Sequence, residues 1–240
     1  VLSRKAINEY PAGEYWLSDT TGEIEGICID TGENSLPIEF AVVAQLPAGS
    51  GSALLADGLS RQKEHPEYIF EYNEHGAKIA NTDIFKSEVT AVYSVGVDRQ
   101  DLVFHRHEGH RILVVTSGSR GAALRFSYAT PAEVNADPMS FLNKMVVVNA
   151  ARDMLFTMRF GPGVYHQFGP IDDDYGAFLA ISIHSNELAG LSGELLAKVK
   201  SGNGHLDVLT EPVPSAVEEL LAREELTREV PHLSLGTRPE

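Results

Sequence analysis

His105-Arg106-His107-Glu108-Gly109 sets two imidazoles one residue apart, and His166, which follows Pro162-Gly163-Val164-Tyr165, offers a third. On a β-strand successive side chains point to opposite faces, so His105 and His107 project together while Arg106 and Glu108 turn away. Two imidazoles on one face can share an ion. A third, delivered from a separate strand by a tight Pro-Gly turn, completes a site with open coordination positions that suits Zn, Fe, Ni, Cu or Mn chemistry. With 9 histidines in the chain, a lone H-x-H is an ordinary structural feature; the second motif is what points to a metal.

These histidines need strands to hold them. Short strand-like runs separated by glycine, proline and acidic turns span residues 15–185: Tyr15–Leu17, Glu25–Asp30, Glu39–Leu46, Tyr68–Tyr72, Val89–Val97, Leu102–Glu108, Arg111–Thr116, Gly121–Tyr128, Lys144–Asn149, Met154–Phe160, His166–Phe168 and Ala177–His184. That many short strands indicate a β-sandwich or barrel. Residues 47–52 and Asp172-Asp173-Asp174 lack periodicity and read as exposed loops, the three carboxylates as a solvated turn. Residues 129–143 read as a loop opening a short helix, either a lid over the barrel mouth or a plain connection. Beyond Ser185, Leu188, Leu191, Leu195, Leu196 and Val199 recur at helical spacing. A second helix follows Pro214, with Ser215 as N-cap and Glu218 completing a capping box, and the tail from Pro231 reads as poorly ordered.

The two motifs resemble the signatures of the cupin superfamily, G-x5-H-x-H-x3/4-E-x6-G followed by G-x5-P-x-G-x2-H-x3-N. The first reads VFHRHEGHRILVVTSG, with His105 and His107 in the histidine slots and Gly118 closing it; the second reads ARDMLFTMRFGPGVYHQFG, with Pro162-Gly163 at the turn and His166 as ligand. The resemblance covers about a third of the chain, residues 101–185. It implies a mainly β, cupin-type jelly-roll barrel with N-terminal strand additions over residues 1–185, and a helical C-terminal extension, residues 186–240, packed on it. It also implies a homodimer.

Departures from the pattern bear on chemistry. The acidic ligand of the first motif falls near Arg111, or at His110 or Ile112, and none is a carboxylate. Glu108 has the wrong strand parity unless the Glu108-Gly109 turn breaks the alternation. The resemblance therefore implies a three-histidine centre, similar to thiol and diketone dioxygenases, with Glu108 or His110 as a candidate fourth partner. A neutral ligand set leaves the +2 charge of an ion uncompensated, which favours an anionic, chelating substrate. The asparagine four residues after the second-motif histidine is replaced by Pro170.

Candidate substrate-handling residues flank the motifs. Arg111 and Arg159 can grip a carboxylate bidentately, and Tyr165 and Tyr93 carry phenols able to donate a proton or hydrogen-bond a bound oxygen. Phe104 or Val103, Phe156 or Leu155, and Met158 furnish an apolar cavity. Gln167 alternates away from His166 as a wall residue, and His184 is a candidate to support the site or cap the sheet edge. His65 and His75, isolated in polar surroundings, read as solvent-exposed.

Composition narrows the class. A chain of 240 residues with 43% apolar content can bury a full core, and a net charge of −15 without a basic patch argues against nucleic acid. The single cysteine, Cys28, excludes an internal disulfide and a thiolate cluster; its strand-like setting reads as a small buried residue rather than a reactive thiol. No run reaches the roughly 20 apolar residues of a membrane span, and the start of the chain lacks a signal peptide's apolar stretch, so a cytoplasmic protein is expected. Three functions fit: an Fe(II) dioxygenase of a small anionic chelating substrate, an oxygen-independent isomerase, decarboxylase or lyase using Zn, Mn or Ni as Lewis acid, and a non-catalytic small-molecule-binding cupin.

Overall fold

The computed structural model describes residues 15–17, 25–32, 35–80, 90–185, 192–201 and 210–236. In chain order the N-terminal elements are β1 (Tyr15–Leu17), β2 (Gly26–Ile29), β3 (Ile38–Gln45), α1 (Ser50–Lys63), β4 (Tyr68–Glu71), β5 (Glu74–Ala80) and β6 (Ala91–Val97). The motif region follows as β7 (His105–Arg106), β8 (His110–Ser117), β9 (Ala122–Ser127), α2 (Pro131–Ala136), α3 (Met139–Asn143), β10 (Met145–Ala150), β11 (Met154–Phe160), β12 (Tyr165–Pro170) and β13 (Phe178–Ser185). The C-terminal part holds α4 (Gly193–Ser201), β14 (Glu211–Pro212), α5 (Ser215–Leu221), α6 (Glu224–Thr227) and β15 (His232–Leu235).

The strands form two sheets in the orders β1-β2-β3-β11-β8-β13-β6-β5-β4 and β14-β7-β12-β9-β10-β15. Alternation in the sequence decides what lies between them. Along β11, Met154, Phe156, Met158 and Phe160 are buried, whereas Leu155, Thr157 and Arg159 lie on the other face. Along β8, Arg111, Leu113, Val115 and Ser117 are buried and Ile112 and Val114 are exposed. At the centre Phe126 meets Phe40, Phe160 and Phe168 edge-on, with ring centroids 5.8, 5.5 and 5.7 Å away. The mainly β jelly-roll architecture expected from the sequence is what these sheets build.

A second apolar layer lies on the outer face of the smaller sheet. Val134, Phe141 and Leu142 from α2 and α3, with Val217 from α5, pack there against Phe104, Val147 and Tyr165. Residues 129–143 are therefore two short helices and not a lid over the mouth: their apolar side chains have a sheet face to cover on the far side of the barrel. Thr130 and Glu133 close a reciprocal capping box at the start of α2.

Other expectations are corrected. Residues 50–52 open the helix α1 instead of continuing a loop. The sequence offers that helix no side-chain cap; Asp153, more than a hundred residues away, supplies it by accepting from Gly51 N at 2.8 Å and Gly49 N at 3.1 Å. Ser215 is not the N-cap of its helix, because Pro214, in an extended conformation, already occupies that position and no side-chain cap bond forms. Pro231 onward is not structureless: β15 pairs in parallel with β10. The helix read over 186–200 begins, among described residues, at Gly193, and residues 186–191 and 237–240 lie outside them. His75 is buried rather than exposed, with Tyr68 Oη 2.7 Å from its Nδ1 and Asp98 3.4 Å from its Nε2. Asp172–Asp174 form a surface turn, as read.

Candidate metal centre

β7 and β12 are hydrogen-bonded neighbours in which His105 stands directly opposite His166. His107 follows the end of β7 and stays on the same side. The loop between β11 and β12 is locked to it, since Gly163 N donates to His107 O at 2.8 Å. Gly163 has a φ of 76°, so the turn that delivers His166 needs glycine there. Ring centroids are separated by 4.4 Å for His105 and His166, 5.1 Å for His105 and His107, and 5.3 Å for His107 and His166. One nitrogen from each ring lies within 4.8 Å of the other two.

Backbone carbonyls set the tautomers. The Nδ1 of His166 lies 3.1 Å from Val164 O and that of His105 lies 3.4 Å from Val103 O. A carbonyl only accepts, so Nδ1 carries the proton in each, and the Nε2 lone pair is left for an ion. All three rings are buried, and loss of hydration is the main cause that drives His105 down to about 4 and His107 and His166 well below the ordinary imidazole value. Neutral, inward-facing imidazoles are what a divalent transition ion requires, and the three residues can hold one. Phe160 and Phe168 wall the His166 ring at 4.8 and 5.2 Å.

The other candidate residues divide by strand parity. Arg111 faces inward on β8, is 2% exposed, and lines a small cavity of about 20 Å³ with His107, His166 and His184. It is thus a cation on the inward-facing side of the strand where the motif's acid would otherwise fall, and its charge helps keep all three imidazoles neutral. Tyr165 does not reach the triad. As the neighbour of His166 on β12 it points to the outer layer, against Phe141, with the Arg106 guanidinium 5.9 Å above its ring. Arg159 also faces outward, between the inward Met158 and Phe160, and pairs with Glu39.

Neither suggested fourth ligand joins the cluster. Glu108 bonds Arg106 at 3.0 Å, and His110 occupies the face of β8 opposite to Arg111. Arg106 reaches onward to Glu211 at 2.5 Å and so ties β14 to β7. Gln167 faces away from the triad and donates to Asp101 O at 2.8 Å. His184 lies behind His107, ring centroids 6.4 Å apart, bonded to Ser182 and with its ring tilted against that of Tyr93. Cys28 is half-buried and its thiol is pushed up to about 11 by burial and by Glu39 and Asp30.

One residue at the centre went unread. Glu74, the first residue of β5, lines the cavity shared with Arg111, His107 and His166 and a second one of about 20 Å³ shared with His105 and His107. Burial raises its carboxyl to about 7, against the opposing pull of Arg111. The sequence carries little signal for it: Tyr72 and Asn73 both have positive φ, 49° and 72°, the geometry of a two-residue hairpin, but the turn lacks the usual glycine.

No family model matches the chain, and no curated protein sequence matches it. Solved structures do. A hypothetical protein from Leishmania major is 11% identical over 74% of this chain and 98% of that one, with a TM-score of 0.44. A cupin 2 domain-containing protein from Halorhodospira halophila is 10% identical over 68% and 86%, with a TM-score of 0.36. A variant of 2-hydroxyethylphosphonate dioxygenase is 15% identical over 52% of this chain, with a TM-score of 0.34, and the match spans 23% of that longer protein. Among the described residues no helix is long and apolar enough to cross a membrane. Two sheets, antiparallel except for the β10–β15 pair, with both histidine motifs on neighbouring strands of one and their imidazoles meeting between the sheets, build a jelly-roll barrel of the kind the motif resemblance implies.

Proposed function

We propose that the chain is a mononuclear metal-dependent enzyme, a non-heme iron dioxygenase of a small anionic chelating substrate. The observation that carries this reading is the meeting of three buried, neutral imidazoles in a chamber that also contains Arg111. An ion held by His105, His107 and His166 would supply Lewis acidity and, if iron, a one-electron partner for O2. Neutral ligands leave that ion's charge to be met by the substrate, and Arg111 offers a second cation with the fork geometry that suits a carboxylate. The cavities beside His107 each have room for about one water-sized molecule, so an organic substrate has to displace side chains at the mouth. Phe160 and Phe168 keep bulk water from the far side of the chamber, which strengthens every charge interaction within it.

The test begins with elemental analysis of protein purified without added metal. O2 consumption with small thiols, diketones, catechols and keto acids follows. Stoichiometric iron with substrate-dependent O2 loss is expected; turnover that persists without O2 on a Zn or Mn centre would replace this reading with Lewis-acid chemistry. His107→Ala should lose the ion, and full occupancy in that variant would remove the ligand assignment.

A further inference from the structure

The acid missing from the first histidine motif has a counterpart on a different strand. Glu74 arrives at the triad from β5, in the other sheet, and its register opposite Val97 turns it toward the barrel interior while His75 takes the outer face. The hairpin that presents it is held in place: Leu102 N donates to Tyr72 O at 2.9 Å and Asn73 Nδ2 to Gln100 O at 3.1 Å. Tyr72 accepts a left-handed conformation to make that turn, and the surrounding bonds hold it there. The carboxyl borders both small cavities beside His107, one of them facing Arg111 and the other facing His105. Its oxygens are not among the ligand atoms that cluster within 4.8 Å, which among the described residues are those of the three histidines. A cavity the size of one water, bordered by the carboxylate and by His107, has room for a single small ligand beside the triad.

We propose that Glu74 is the acidic positioning residue of this metal centre, accepting a hydrogen bond from the water or substrate atom bound in the open position beside His107. The inference rests on the metal-centre reading above. Through that one molecule its charge strengthens the hold on a cation and opposes an added anion, the inverse of what Arg111 does from the facing wall.

Glu74→Gln keeps the shape and removes the charge. Two readouts independent of turnover are Zn(II) affinity by chelator competition and azide binding to the Co(II)-loaded protein by its visible spectrum. The variant should still take one Co(II) per chain on its three imidazoles, bind Zn(II) about tenfold more weakly, and bind azide at least about threefold more tightly. Both dissociation constants within twofold of wild type would overturn the proposal while leaving the triad reading intact. A wild-type chain that takes up neither ion would overturn both together. If Glu74→Gln does not fold, Glu74→Asp withdraws the charge by one methylene: a threefold or greater loss of Zn(II) affinity at unchanged metal-free melting temperature supports the role, and unchanged affinity overturns it.

Discussion

In chelator-treated protein, replacing His105 by Asn should make stability depend less steeply on pH between 6.5 and 4.5. The native ring is 5% exposed, and burial brings it from the ordinary 6.5 down to about 4. A folded value below the unfolded one means that the contribution is fully present above 6.5 and is lost as the pH falls toward 4, because the unfolded chain takes a proton that the folded chain refuses. At about 1.4 kcal/mol per unit the drop is worth roughly 3 kcal/mol, a large share of the 5–15 kcal/mol that a domain usually has. His107, His166 and His75 act in the same direction. Glu74 and Asp101 act oppositely, since burial raises both and the folded chain gains their protons as the pH falls. The wild-type slope is therefore a difference of several groups, and the variant isolates one. Urea unfolding followed by circular dichroism at pH 7.5, 6.5, 5.5 and 4.5 should show the slope reduced by about one proton, roughly 1.4 kcal/mol per pH unit. An identical slope in the two proteins would refute the claim that His105 is neutral because it is buried.

Phe126→Ala removes the ring that joins Phe40, Phe160 and Phe168 and should cost roughly 3–5 kcal/mol in urea unfolding; a loss under about 1.5 kcal/mol would mean that the two sheets do not close over it. Asp153→Ala deprives Gly49 N, Gly51 N and the Ser119 hydroxyl of their acceptor, and should lower stability by about 2–4 kcal/mol and speed amide hydrogen exchange at the start of α1, where unaltered protection would count against a tertiary cap. Thr130→Ala opens the α2 capping box at a cost of about 1 kcal/mol in thermal melting at neutral pH. Glu133, held at about 2 by Lys144 and Thr130, contributes above its unfolded value and loses that contribution as the pH falls toward 2, so the penalty of the variant should shrink in acid.

Strand parity was the legible part of the site. It put His105 and His107 on one face and sent Arg106 and Gln167 to the other, where they lie. Carried one residue further, the same rule turns Tyr165 away from the triad, because it adjoins His166, and Arg159 likewise, because it sits between Met158 and Phe160. Adjacency to His166 turns Tyr165 away, and adjacency to inward-facing apolar residues turns Arg159 away. Elements whose local signals are weak stayed hidden: β5 contains a glycine and a lysine in Glu74–Ala80, and its hairpin turn lacks glycine. The start of α1 carries no local helix signal because its cap comes from Asp153 at the head of the neighbouring strand β11, distant in sequence, an interaction that no window of neighbouring residues contains. β15 depends on a parallel partner, β10, far back in the chain. Elements stabilised by distant partners are those that periodicity does not reveal.

A base at position 111 sets the charge of the whole chamber. Where a carboxylate on that strand would have cancelled part of an ion's charge, Arg111 adds to it, and at an effective dielectric of about 20 two unit charges about 5 Å apart interact by roughly 3 kcal/mol. Three neutral imidazoles contribute nothing to offset that repulsion. Glu74 faces the same cavity as the buried guanidinium and Glu71 lines the one beside it, yet an ion of charge +2 together with Arg111 still leaves positive charges in excess of these two carboxylates. On the proposed function those charges fall to the substrate, which has to be anionic both where it meets the ion and where it meets the guanidinium. A chelate of one metal-binding oxygen or sulfur and one carboxylate meets that demand in a chamber this small.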